Sequence, residues 1–238
     1  MKIQDYYQLD GEQLQFTETQ ASQFAKSIAG DFNPLHDVGG KRFCVPGDLL
    51  FSVLLNRYGV FSSMQMKFEG MLSADVPVLL PETIETNLTL KDATGKAYLE
   101  VTSSGDRVTD PQAIATLTQE YVQFSGKTFP DILVELMRKE GVMINPTRPL
   151  VIYTDMALEL STTELLAPKL KLADTSLIVE GKKGKATLRF DLHDNGELVG
   201  RGEKNMVLGS LREFDEETMG SIVEQYQQWQ QEYRGVGA

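Results

Sequence analysis

Asp31 and His36 stand five residues apart in Ser27-Ile28-Ala29-Gly30-Asp31-Phe32-Asn33-Pro34-Leu35-His36, and the residues around them decide how they are presented. Gly30 can take backbone conformations closed to other residues. Pro34 fixes its own φ and pushes Asn33 into an extended shape. A helix cannot run through such a segment, so the carboxylate and the imidazole are offered by a loop, where chemistry is commonly carried. Two such groups sharing one water could take a proton from it and return a proton to carbon, which is what hydration of a double bond requires. The competing reading spends Asp31 on an Asx turn and leaves His36 packed beneath it. Spacing alone weighs the two equally.

Rival chemistry is sparse. His193 lies in His193-Asp194-Asn195-Gly196, a hairpin-turn pattern that predicts an exposed ring. Cys44, in Phe43-Cys44-Val45, reads as a packed thiol rather than a nucleophile. With two histidines and one cysteine, no spacing suggests a metal site, and none is expected. Val38-Gly39-Gly40-Lys41 is too short for a phosphate-cradling loop, and no nucleophilic serine elbow occurs.

The elements that must position the loop follow from periodicity. Thr17 and Gln20 form a capping-box pattern, and Ala21, Phe24, Ala25 and Ile28 give the following helix one buried face. After the loop, Asp48 reads as an N-cap. Leu49, Leu50, Val53, Leu54 and Tyr58 then give a helix buried on most sides and closed by Gly59. The period next falls to two, predicting strands near 64–68, 76–78, 84–90, 97–102 and 114–124. A second helix over 129–141 and strands near 150–160, 170–179, 186–192 and 198–208 repeat that order. Glu85–Leu99 also aligns without gaps to Asp174–Leu188 at a constant offset of 89 residues. Duplication is the better reading of the two, against a chance likeness between hairpins. Nothing in the second half matches Gly30–His36, so one site per chain is expected. Residues 215–233 read as a polar terminal helix, packing on its own domain rather than on a partner chain.

The totals set outer limits. A chain of 238 residues can bury a substantial core, and a net charge of −11 argues against nucleic-acid binding. No apolar run is long enough to span a bilayer, and Met1–Asp5 lacks the apolar stretch of a signal peptide. The single cysteine fits a reducing cytoplasm.

Ser27–His36 resembles the signature of the MaoC-like, (R)-specific enoyl-CoA hydratases, a hot-dog-fold family whose chains often carry two copies. The resemblance implies an α+β double hot-dog, each half a curved antiparallel sheet wrapped around a central helix: residues 1–126 with the motif, 127–212 without it, and 213–238 as a terminal helix and tail. It assigns Asp31 and His36 to activating the water added to a trans-2-enoyl thioester, with Asn33 shaping the turn. Where relatives carry a His-Gly-Met-Leu-like helix start, this chain reads Pro46-Gly47-Asp48-Leu49-Leu50. Gly47 would offer its amide to the thioester carbonyl, with Asp48, Leu49 and Leu50 beside the substrate. Lys41 and Arg42, or the Lys182-Lys183-Lys185 turn, would meet the phosphates of coenzyme A. The substrate would be a coenzyme A or acyl-carrier thioester with no further cofactor, and a homodimer is compatible with the family. The alternative, favoured by Pro46 and Asp48, is an acyl-thioester binder or scaffold that has lost hydratase activity.

Overall fold

The computed structural model describes residues 2–236. In chain order its elements are β1 (Gln8–Asp10), β2 (Gln13–Gln15), α1 (Glu18–Gln23), α2 (Gly47–Tyr58), β3 (Val60–Phe68), β4 (Val78–Leu79), β5 (Asn87–Lys91), β6 (Ala97–Val108), α3 (Pro111–Gly126), α4 (Leu133–Lys139), β7 (Val142–Met143), β8 (Val151–Leu160), β9 (Lys169–Glu180), β10 (Lys183–Asp194), β11 (Glu197–Gly209), β12 (Arg212–Glu213) and α5 (Glu216–Val236). The capping box at Thr17 and Gln20 starts α1, which passes into a wider π-helical turn over Phe24–Ala29. Gly30 then ends it with a positive φ.

Seven antiparallel strands form one sheet in the order β5-β6-β3-β8-β11-β10-β9, giving an α+β architecture. On it, α2 shares a core with Met64, Met66, Leu90, Leu99, Val101, Met156 and Phe190. Leu133, Leu136 and Met137 of α4 share a second core with Leu177, Leu188, Met206 and Leu208. The strands of 60–108 meet those of 151–209 where β3 pairs with β8, and this register carries the 89-residue offset. Shifting both partners of the Met66–Met156 pair by that amount gives Lys67–Asp155, which is also paired. The two hairpins related by the same offset, β5–β6 and β9–β10, lie at opposite edges of the sheet.

The correspondence ends after those hairpins. Residues 114–124, expected as a strand, lie inside the 16-residue helix α3, whose offset counterpart is β11. Asp110 caps α3 by accepting from the Ala113 N–H at 2.8 Å, Pro111 occupies its first turn, and Ile114, Leu117, Tyr121 and Val122 are buried at helical spacing. β-Branched residues gave the segment strand character; its cap and its tertiary packing decide otherwise. Among the described residues no helix is long and apolar enough to cross a membrane.

Candidate functional site

The loop from Gly30 to His36 is held at both ends and from above. The Asp31 N–H donates to the Ala25 carbonyl at 2.8 Å, and Cys44 N–H donates to the Leu35 carbonyl at 2.8 Å. The Asn33 Nδ2 group donates to the Val151 carbonyl at 3.3 Å, which ties the loop to β8 of the second half. Behind it, Gly126 at the end of α3 lies so close that a β-carbon there would sit 1.5 Å from the Ala29 carbonyl oxygen. α5 covers the outside. Tyr226 accepts from the Phe32 N–H at 3.0 Å, Gln230 donates to the Gly30 carbonyl at 3.2 Å, and the Phe32 ring lies edge-on between Tyr226 and Tyr233. The terminal helix therefore packs on its own chain, and burial pushes the Tyr226 phenol well above its ordinary range.

Within this frame Asp31 divides its two oxygens. Oδ1 accepts from the Asn33 N–H at 2.9 Å, the Asx turn, while Oδ2 faces His36 Nε2 at 3.7 Å. The imidazole is fixed from its other side, with Nδ1 2.7 Å from the Cys44 carbonyl oxygen. A carbonyl only accepts, so Nδ1 carries a hydrogen and Nε2 is the ring nitrogen turned toward Asp31. At 3.7 Å the two atoms are beyond direct hydrogen-bond distance, and a water can lie against both. Both readings of the motif thus coexist: one oxygen makes the turn and the other meets the histidine.

Both groups line a cavity of about 780 Å³ whose wall also takes in Leu133, Val151, Tyr153, Met206 and Tyr226. Asn33, Lys41, Arg42, Gly47 and Leu50 line it too. Lys41 and Arg42 are exposed there and lack an ion-pair partner among the described residues. Gly47 opens α2, and a β-carbon on it would come within 2.9 Å of the Phe68 ring, so the glycine lets that ring close over the helix start.

Four expectations need correcting. Asp48 is not the N-cap; that place belongs to Pro46, and Asp48 turns inward, away from the cavity wall. Leu49 also points into the core rather than the cavity, whose apolar side comes instead from Leu50, Leu133, Ile144, Met206 and Ile222. The Lys182-Lys183-Lys185 turn lies away from the cavity, at the β9–β10 end of the sheet. His193 is half-buried in β10; the turn itself is made by Asn195 and Gly196, both at positive φ.

Beneath the cavity floor lies a group that the sequence reading passed over. Lys204 of β11 is 0 % exposed, and its Nζ sits 2.7 Å from Asp48 Oδ1. It also donates to Ser125 Oγ, which in turn donates to Asp48 Oδ2. The ammonium lies 3.6 Å from the centre of the Tyr153 ring, and the Tyr153 hydroxyl is 2.9 Å from Ser125 Oγ. Burial lowers the Lys204 pKa, opposed by Asp48, and raises those of Tyr153 and Tyr121 well above the usual phenol range. The signal for Lys204 was present in its parity: it shares the strand face of Met206 and Leu208, both wholly buried. Ser125, Thr128 and Tyr153 line the cavity above it. Nothing in their local sequence marks them. Cys44 also lines the cavity, with its thiol pushed up to about 11 by burial, which keeps it protonated and unreactive at neutral pH.

The model of the family described as "Protein of unknown function (DUF3581)" matches residues 1–217. Comparison with curated proteins finds no match. Among solved structures, the acyl-CoA thioesterase II TesB2 of Mycobacterium marinum is similar at 12 % identity and a TM-score of 0.41, over 91 % of this chain and 99 % of that one. A tesB protein of Mycobacterium avium subs paratuberculosis is similar at 11 % identity and a TM-score of 0.39, over 69 % and 87 % of the two chains. An acyl-ACP thioesterase of Bacteroides thetaiotaomicron is similar at 10 % and 0.38, over 68 % and 90 %. Likenesses at these TM-scores carry no weight for chemistry.

Proposed function

The chain belongs to the DUF3581 family, and from that premise we propose that it binds an acyl thioester between two hot-dog halves and adds water to a trans-2-enoyl group there. The observation that supports this best is the facing of Asp31 Oδ2 and His36 Nε2 at 3.7 Å on the wall of a roomy, mostly apolar cavity. In the proposed step the pair holds one water. Its hydroxyl adds to the β-carbon, the pair takes up the released proton, and a proton returns to the α-carbon, so the reaction balances without a cofactor. The Gly47 N–H, at the positive end of α2, meets the thioester oxygen as enolate charge grows. The acyl chain runs inward past Leu50 toward Leu133 and Met206, and Lys41 with Arg42 receives the phosphates of the carrier at the mouth. The halves are residues 1–126 and 127–212, followed by the terminal helix, and the protein is cytoplasmic.

The binder reading leaned on Pro46 and Asp48. Asp48 is paired to Lys204 and turned inward, so its charge does not face the proposed enolate, while Pro46 still stands at the helix start where relatives carry a histidine. The test assays trans-2-enoyl-CoAs from short to long chain, following loss of the conjugated double bond and, separately, release of free thiol. Asp31→Asn and His36→Ala should each lower hydration by roughly 10²–10⁴-fold. A parent protein that binds these thioesters and hydrates none refutes the reading, and thiol release in its place assigns the water to hydrolysis.

A further inference from the structure

Resting on that thioester reading, the rim of the cavity speaks to the carrier on which the acyl group arrives. Trp229 of α5, the only tryptophan in the chain, lines the cavity and is 39 % exposed. Phe68, Phe129, Tyr153 and Tyr226 line it too, but they are buried or half-buried. A single exposed apolar side chain needs no explanation. This one is held in place. One turn before it, the Tyr226 hydroxyl accepts from the Phe32 N–H at 3.0 Å, and beside it Gln230 donates to the Gly30 carbonyl at 3.2 Å. One turn after it, the Tyr233 hydroxyl lies 2.8 Å from Ser27 Oγ. The helix under the indole is therefore bonded to the motif loop on both sides. Among the described residues no aromatic ring stacks on Trp229 itself.

Lys41 and Arg42 line the same cavity, exposed and without an ion-pair partner among the described residues. In a chain of net charge −11, two free cations and an open indole around one cavity match a ligand that carries both phosphate and a flat base. Coenzyme A and carrier-protein thioesters share the acyl group and the pantetheine arm. They part at the far end, where coenzyme A ends in an adenine nucleotide and the carrier in a folded protein. We propose that Trp229 is the residue that selects between them: the adenine of a coenzyme A thioester stacks on its indole while the acyl group lies inside. The bonds that fix α5 to the loop hold the indole ready, so little freedom is lost when the base lands. A thioester without the base leaves the ring open to water and gains nothing from it.

The experiment compares one saturated acyl group, so that no hydration intervenes, on three carriers: coenzyme A, 4′-phosphopantetheine (which keeps the arm and a phosphate but has no base) and an acyl carrier protein. Calorimetry should find acyl-CoA bound most tightly. Trp229→Ala should weaken acyl-CoA roughly 5–150-fold and leave acyl-phosphopantetheine unchanged, while Trp229→Tyr, which keeps a ring, should recover most of the loss. Because Trp229 is the only tryptophan, its emission reports on this position alone, and acyl-CoA but not acyl-phosphopantetheine should quench it. That readout needs no variant. Equal affinity for acyl-CoA and acyl-phosphopantetheine overturns the inference, as does tighter binding of the carrier-protein thioester. A coenzyme A preference that persists undiminished in Trp229→Ala, or acyl-CoA binding without quenching, overturns it too. In each of these cases the acyl group still binds and the thioester reading stands. If none of the three binds, the thioester reading falls and the stacking site with it.

Discussion

Replacing Lys204 by Met tests whether the Asp48–Lys204 pair is held by its neighbours or merely tolerated. The substitution preserves length and removes the charge, leaving the Asp48 carboxylate 3 % exposed with Ser125 as its remaining hydrogen-bonding partner. An uncompensated buried charge of this kind costs ~3–5 kcal/mol. For a chain of this size each kcal/mol moves the melting temperature by ~2–4 °C, so the variant should melt ~6–20 °C lower. Asp48→Leu alone should cost a similar amount, because it strands the ammonium between two phenol rings. The double variant removes both charges and their desolvation together, and should recover most of the loss. Urea unfolding of the four proteins gives the coupling energy directly, and it should be ~2 kcal/mol or more, in the sense that the two losses do not add. Single variants that lose less than ~1 kcal/mol, or a double variant that loses the sum, would refute the account of a buried and mutually dependent pair.

Two further outcomes follow from the frame around the loop. Gly126→Ala drives a methyl into the Ala29 carbonyl and should cost ~3 kcal/mol or more while disturbing ligand binding at Asp31; Gly220→Ala in α5, where a β-carbon meets nothing within 4 Å, should instead stabilise by ~0.5–1 kcal/mol, and equal unfolding midpoints for the two would count against the tight packing. Cys44, pushed up to about 11, should react with a disulfide reagent at pH 8 ~100-fold more slowly in the folded protein than in urea. Its sign for stability is also set: the unfolded thiol loses its proton near pH ~8.5–9 and the folded one near 11, so stability falls as pH rises through that window, and Cys44→Ala should flatten part of the slope in urea midpoints.

Local rules made the loop legible. Gly30, Asn33 and Pro34 dictate a bend from their own backbone preferences, and the carboxylate and imidazole come together because the bend is short. Helix α2 was visible for a similar reason, since apolar residues nearly all round leave only burial as an option. The misreadings lie where distant parts of the chain decide. Residues 111–126 suit a strand or a helix, and packing of Ile114, Leu117 and Tyr121 into the core selects the helix. Asp48 looks like a cap from its neighbours alone, and its partner arrives from a strand 156 residues further on. The Ser125–Tyr153–Lys204 group joins α3, β8 and β11, so no window of sequence contains it.

That distribution bears on how a chain with two helix-then-strand stretches would come to have one site. If the halves began alike, the second has no Asp31 or His36, yet it supplies Val151 to anchor Asn33, Tyr153 and Met206 to the cavity wall, and Lys204 to neutralise Asp48. The register of β3 on β8 makes this contribution unavoidable, because it sets β8, the middle strand of the sheet, beside the Gly30–His36 loop. On the duplication reading, the stretch without the motif serves the other as wall and counter-charge. At the 89-residue offset α3 corresponds to β11, a helix against a strand, and the buried pair is assembled from these two, with Ser125 from the helix and Lys204 from the strand. Divergence at that position is what an asymmetric site requires: two identical halves would place the same side chain on both sides of the pseudo-axis, and an ammonium cannot neutralise its own copy.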